Sequence, residues 1–167
     1  MKSEGYFSYL SEIVMKYLEN NRNINRGFRK LIVWREAVNL FRFVKSKIDS
    51  TKNISFKVKS QIEDSALSVS SNIAEGYARR FIKENIQFNT IALASLAENY
   101  SQIYSLFNSD IIEESWFRKY DVIHYSLENK LINFNKSQIK KLKSNKEWKN
   151  DYVIRDIVES YVKNDQI

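Results

Sequence analysis

The residue types able to do chemistry fall into three groups. The first is Asp121-x-x-His124, which has the carboxylate-x-x-His spacing of metal sites in helical bundles. Such sites take two pairs of this kind and two further inward carboxylates, yet His124 is the only histidine. A Ser-His-Asp triad would need the same imidazole, and neither a nucleophile elbow nor a glycine-rich phosphate loop is present. With no cysteine, thiolate sites and disulfides are excluded. The expectation is therefore no catalytic residue, no metal and no cofactor, with His124 at the surface or boundary of a core.

The second group is Asn72, Glu75, Arg79 and Arg80, within Ser68-Val69-Ser70-Ser71-Asn72-Ile73-Ala74-Glu75-Gly76-Tyr77-Ala78-Arg79-Arg80. A glycine after an apolar-periodic run reads as a helix stop that enters the left-handed region. Around it, Asn72 and Glu75 are expected to clasp the backbone of a helix–helix turn, with Glu75 pairing with Arg79 at i,i+4. Arg79 and Arg80 could alternatively contact an anion or RNA.

The third group, Lys136, Lys140, Lys141, Lys143, Lys146 and Lys149, crowds the end of the last long helical stretch beside Trp148. It reads either as a solvated helix C-terminus, where cations complement the dipole, or as a phosphate-binding stripe with an aromatic for stacking. Arg42, Lys45, Lys47, Lys57 and Lys59 could extend that stripe.

The elements that must position these groups are helices. Proline is absent and only three glycines occur in 167 residues, too few for the tight turns of a sandwich or barrel. Apolar residues make up 43% and aromatics 14%, enough for one domain with a core. The 3.6-residue period marks helical stretches over about 4–20, 33–49, 56–76, 79–107 and 111–143. Expected inward residues are Val33, Ala37, Leu40, Phe41, Val44 and Ile48; then Val58, Ile62, Ala66, Val69, Ile73 and Ala74. Phe81, Phe88, Ile91, Ala92, Ser95, Leu96, Ile103 and Leu106 follow, then Trp116, Tyr120, Ile123, Leu127, Leu131, Phe134 and Ile139. Asp110 is placed to cap the last of these helices.

The pattern predicts an all-α, up-and-down antiparallel four-helix bundle over 31–143. Residues 1–30 form an N-terminal helical extension and linker, and 144–167 a short helical tail. No stretch reaches the roughly 20 apolar residues of a membrane span, and the N-terminus lacks the uninterrupted apolar region of a signal peptide. A cytoplasmic protein is expected. The formal net charge of +7 favours polyanionic partners, RNA above all. Aromatics too numerous for a slender bundle to cover favour self-association.

Leu31-x-Val33-Trp34-x-x-Ala37-x-x-Leu40, Gln61, Ser68-x-x-x-Asn72-Ile73-Ala74-Glu75-Gly76-Tyr77-x-Arg79 and Ser95-Leu96-Ala97-Glu98 resemble the bacterial four-helix bundle protein family. That family includes proteins encoded within intervening sequences of large-subunit ribosomal RNA genes. It also includes the accessory variability determinant of diversity-generating retroelements. The resemblance, over about 31–135, implies a ring-like homopentamer and, for retroelement members, binding of a reverse transcriptase and its template RNA through a basic surface. It marks Asn72, Glu75, Gly76, Arg79 and Glu98 as signature residues, structural rather than catalytic. Glu63 and Asp64 stand where the family usually carries two arginines. The function expected is thus a non-enzymatic RNA-binding or reverse-transcriptase accessory bundle, or else a protein-interaction scaffold. Arg79, Arg80, Lys136, Lys140, Lys141 and Lys143 are the candidate nucleic-acid contacts.

Overall fold

Apolar residues recur along each long segment at alternating spacings of three and four, so each forms an amphipathic helix with one stripe to bury. In the computed structural model, which describes residues 26–79 and 81–144, a 3-10 turn, Gly27–Lys30, precedes four helices. These are α1 (Ile32–Ser50), α2 (Phe56–Ala78), α3 (Ile82–Asn108) and α4 (Glu114–Lys143). No described residue is in a strand. The helices belong to one unit, Phe28–Trp148, an up-and-down bundle in which each packs on its sequence neighbour and α1 also packs on α4. The expected helix over 4–20 and the tail over 144–167 lie outside the described residues, save Ser144.

The buried stripes follow the expected period. Val33, Ala37, Leu40, Val44 and Ile48 of α1 face Ile62, Ala66, Val69 and Ile73 of α2, with Ala92, Leu96 and Ile103 of α3 and Leu127 and Leu131 of α4. Each buried Leu, Ile or Val stabilises by about 1.5–3 kcal/mol relative to exposure. Several expected inward residues sit beside the stripe or at its end. Phe41, Val58, Ala74, Phe88, Ser95, Trp116, Ile123 and Phe134 are only partly buried, and Phe81, Ile91 and Ile139 are exposed. The α3 stripe instead runs Asn85, Asn89, Ala92, Leu96, Asn99, Ile103 and Leu106, so asparagines occupy core positions.

The chain reversals are built from local chemistry. Ser55 caps α2, its hydroxyl accepting from the Val58 N–H at 3.3 Å. After α3, the Asp110 and Ile111 N–H groups donate to Phe107 O and Leu106 O, a Schellman closure with Asp110 at φ 56°. Asp110 therefore ends α3 rather than capping α4, whose N-cap is Glu113.

Gly76 corrects the sequence reading more sharply. No described glycine has positive φ, and α2 continues through Gly76 to Ala78. Its role is close helix approach: a Cβ there would lie 2.8 Å from Phe88 Cβ and 3.3 Å from Asn85 O. The stop comes at Arg79, which turns extended (φ −72°, ψ 147°) while its N–H still reaches Gly76 O.

Candidate polyanion-binding end of the bundle

Antiparallel topology brings the beginning of α1, the end of α2, the beginning of α3 and the end of α4 to one end of the bundle. Contacts across helices set this level. Phe28 meets Tyr77 edge-on with ring centroids 6.4 Å apart, Gly76 lies against Phe88, and Asn135 Nδ2 donates to Thr90 Oγ1 at 3.3 Å. Arg79 and the Lys136–Lys143 run therefore share this end, joined by Arg29, Lys30 and Lys83.

Arg79 is held in place. Its guanidinium donates to Glu75 and stacks over the Phe88 ring, 4.5 Å from the centroid. Arg80 lies outside the described residues. Lys136, Lys140, Lys141 and Lys143 are all exposed, and the last three occupy the final turn of α4. Among the described residues, Lys136, Lys140 and Lys143 form no ion pair. Lys146, Lys149 and Trp148 lie outside the described residues.

The other lysines of the expected stripe sit at the far end, where α1 ends and α2 begins. That is the length of the bundle away, up to about 45 Å for a helix as long as α4. Three of them are also engaged. Lys45 pairs with Asp49 and Glu63, Lys47 donates to Glu113 at 2.6 Å, and Lys59 donates to Thr51 O at 2.9 Å. Glu63, standing where the resemblance has arginine, thus neutralises a lysine. Arg42 lies between the ends, on a groove between α1 and α4.

The clasp differs from its expected form. Asn72 Nδ2 donates to Ser68 O at 2.8 Å and to Ser68 Oγ at 2.9 Å, and Ser68 Oγ lies 3.0 Å from Ser95 Oγ on α3. It bonds one turn back rather than to the turn backbone, because α2 is still helical at Asn72. Glu75 is exposed and, among the described residues, pairs with Arg79; the turn is tied instead by Glu84 Oε2, which accepts from the Phe81 N–H at 3.2 Å. Exposed Glu98 accepts from Gln102 Nε2 at 3.1 Å.

Through Gln102, Glu98 adjoins a buried polar network that the sequence reading missed. Tyr120 OH donates to Asn99 Oδ1 at 3.0 Å, and Asn99 Nδ2 donates to Ile62 O and Ser65 Oγ, both at 3.0 Å. Ser65 Oγ in turn reaches Gln102 Oε1 at 2.7 Å. The network ties α4 to α3 to α2 in one register, and burial pushes the Tyr120 phenol far above its ordinary value. The signal for it was the strict spacing that puts Asn99 between Leu96 and Ile103 on a core stripe.

His124 is likewise corrected. It is buried, 5% exposed, and its Nε2 donates to Leu96 O at 2.9 Å. The spacing to Tyr120 and Leu127 places it on the inner face of α4. Nearer the basic end, Asn85 Nδ2, Asn89 Oδ1, Asn135 Oδ1 and Gln138 Oε1 are buried without a hydrogen-bond partner among the described residues.

Among the described residues no helix is long and apolar enough to cross a membrane. The chain matches no curated protein. It does match, over residues 29–133, the family model described as 23S rRNA-intervening sequence protein, which spans all of α1, α2 and α3 and most of α4. With a helical bundle and a family match over most of its length, the chain belongs to the 23S rRNA-intervening sequence protein family.

Proposed function

We propose that this protein is a non-enzymatic accessory bundle that binds RNA through the basic end formed by Arg79 and Lys136, Lys140, Lys141 and Lys143. The observation carrying this reading is the run of exposed lysines gathered at the end of α4. At the far end Lys45 and Lys47 are matched by Glu63, Asp49 and Glu113, whereas Lys136, Lys140 and Lys143 have no ion-pair partner among the described residues. Unmatched cations converging on one end raise the local potential and release counterions from a bound phosphate backbone. The family description, which names the ribosomal RNA intervening sequence, agrees with an RNA connection.

The test is a pair of charge-neutralised variants. Lys136→Gln/Lys140→Gln/Lys143→Gln at the basic end should weaken binding of a structured RNA by about tenfold or more at low salt, since each phosphate contact adds to the salt-dependent affinity. Lys57→Gln/Lys59→Gln at the far end should leave it nearly unchanged. Equal losses from both ends would replace a localised site with general charge attraction.

A second reading, a protein-interaction scaffold, is favoured by a groove of about 670 Å³ between α1 and α4. Phe43, Val122 and Ile123 line it, and Val122 is 69% exposed. Tyr125, one turn on, is 65% exposed. Apolar side chains this open are what a homo-oligomer or a protein partner such as a reverse transcriptase covers. Light scattering tests self-association: the pentamer implied by the family resemblance is expected, and a monomer at micromolar concentration would count against it.

A further inference from the structure

The inner face of α4 changes character partway along. Its buried positions run Phe117, Tyr120, His124, Leu127 and Leu131, and then become Asn135 and Gln138, 9% and 3% exposed. Beyond Leu131 its apolar residues are only partly buried or exposed. At the same end of the bundle, the buried positions of α3 include Asn85 and Asn89, 1% and 0% exposed. Amides thus stand between α3 and α4 where the rest of the bundle has an apolar core.

These amides do not satisfy one another. Asn89 Nδ2 donates to Asn85 Oδ1 at 2.9 Å, and turning both amides over still leaves the pair one donor and one acceptor short. The Thr90 hydroxyl donates to Ile86 O, so it accepts from Asn135 Nδ2 and leaves Asn135 Oδ1 unmet. The Ser137 hydroxyl likewise donates to Phe134 O, so Gln138 faces it with Nε2 and leaves Oε1 unmet. Each unmet group carries a desolvation cost that water repays when the site opens, so the closed form is weakened at this end alone. The network around Asn99, in contrast, pairs its amide on both sides.

The two helices are not held equally. The start of α3 is pinned by Gly76 against Phe88, by Arg79 over the same ring and by Glu84 on the Phe81 N–H. α4 is held as far as Lys130, which pairs with Glu36 of α1, and Leu131, which is fully buried. Past that point Asn135 reaches Thr90 of α3 at a long 3.3 Å. We propose that α4 beyond Leu131 is a clasp that parts from α3 as a unit while the remainder of the bundle stays folded. Opening hydrates the buried amides and carries Lys136, Lys140 and Lys143 with it. It is a property of the free chain, whatever that chain binds. Where RNA is the ligand, the opened turns offer lysine charge and amide hydrogen bonds side by side.

The experiment is native-state hydrogen exchange of the full chain by NMR, free of RNA, without and with low urea. Backbone N–H groups of residues 134–140 should share one opening and exchange at least about tenfold faster than those of 120–127. Low urea should accelerate them little, because a local opening exposes little surface. Asn135→Leu/Gln138→Leu, which continues the apolar stripe of Leu131, should slow exchange over 134–140 by about tenfold or more. Circular dichroism confirms folding, and Asn135→Leu alone carries the test if the double variant does not fold. Ile103→Val, in the core of the other half, should speed exchange over 120–127 several-fold and leave 134–140 unchanged. Equal protection of the two stretches overturns the proposal, as does a steady loss of protection toward Lys143 in place of a shared value. Acceleration of both stretches by Ile103→Val, or exchange not slowed by the leucine substitutions, overturns it as well.

Discussion

Gly76→Ala is the most informative perturbation of the fold, because helix propensity and packing against α3 pull its stability in opposite directions. Gly76 lies inside α2 with ordinary negative φ, so alanine is compatible with its backbone and brings a helix-propensity gain of about 1 kcal/mol. Against this, the new Cβ would meet Phe88 Cβ at 2.8 Å, while carbon atoms prefer about 3.5–4.0 Å. Phe88 Cβ is fixed to the α3 backbone and cannot rotate away, so α2 and α3 must part by roughly 0.7 Å or more. Overpacking of this kind costs about 1–3 kcal/mol, and a fixed neighbour puts this site towards the upper part of that range. The net effect is a loss of about 1–2 kcal/mol, or a fall in Tm of roughly 2–8 °C for a chain of this size. Urea unfolding followed by far-UV circular dichroism measures it, with Ser71→Ala on the exposed face of the same helix as a control expected to be neutral or slightly stabilising. If Gly76→Ala matched or exceeded the wild-type midpoint, the close-approach explanation of this glycine would be refuted.

Three further outcomes follow from the interior and the ion pairs. Asn99→Ala should lose about 2–4 kcal/mol, because it strands the Tyr120 hydroxyl in the core; Tyr120→Phe should lose only about 1–2 kcal/mol, and equal losses in thermal unfolding would contradict the network. Asn135→Leu removes an amide whose oxygen has no protein partner, so stability should stay level or rise by up to about 2 kcal/mol; a clear drop in the urea midpoint would mean that the amide is satisfied. The Lys47 ammonium holds the Glu113 carboxyl below its ordinary value of 4.5, so this pair's stabilisation is complete above 4.5 and is lost as pH falls through the lower folded value. Glu113→Gln should therefore lower the midpoint at neutral pH and leave it unchanged in strong acid, and a constant difference across acid titration would contradict this assignment.

The bundle was legible because its apolar stripes are long and regular. Val33, Ala37, Leu40, Val44 and Ile48 need only the 3.6-residue period to be placed inside. What hydrophobicity could not show is which polar residues share those stripes. Asn85, Asn89, Asn99 and His124 occupy core positions, while Phe81 and Ile91 of the same helix or its cap are exposed. Ranking residues by polarity puts His124 outside, whereas continuing the spacing from Tyr120 to Leu127 puts it inside. Gly76 shows a different limit, since a glycine for close packing and a glycine for a left-handed turn look alike until the neighbouring helix is known. Side-chain spacing likewise located the lysine run but not its end of the bundle. Only the topology separates Lys136–Lys143 from Lys57 and Lys59.

The salt dependence of RNA binding by the intact protein tests the central claim most directly. Fluorescence anisotropy of a labelled structured RNA, titrated between about 50 and 200 mM salt, should give log K falling linearly with log salt, each phosphate contact adding about 0.7–0.9 to the slope. Four or five contacts from the basic end predict a slope of about −3 to −4, reduced by about 2–3 in Lys136→Gln/Lys140→Gln/Lys143→Gln. No binding at 50 mM salt, or a slope indifferent to that substitution, would contradict an RNA site at this end of the bundle.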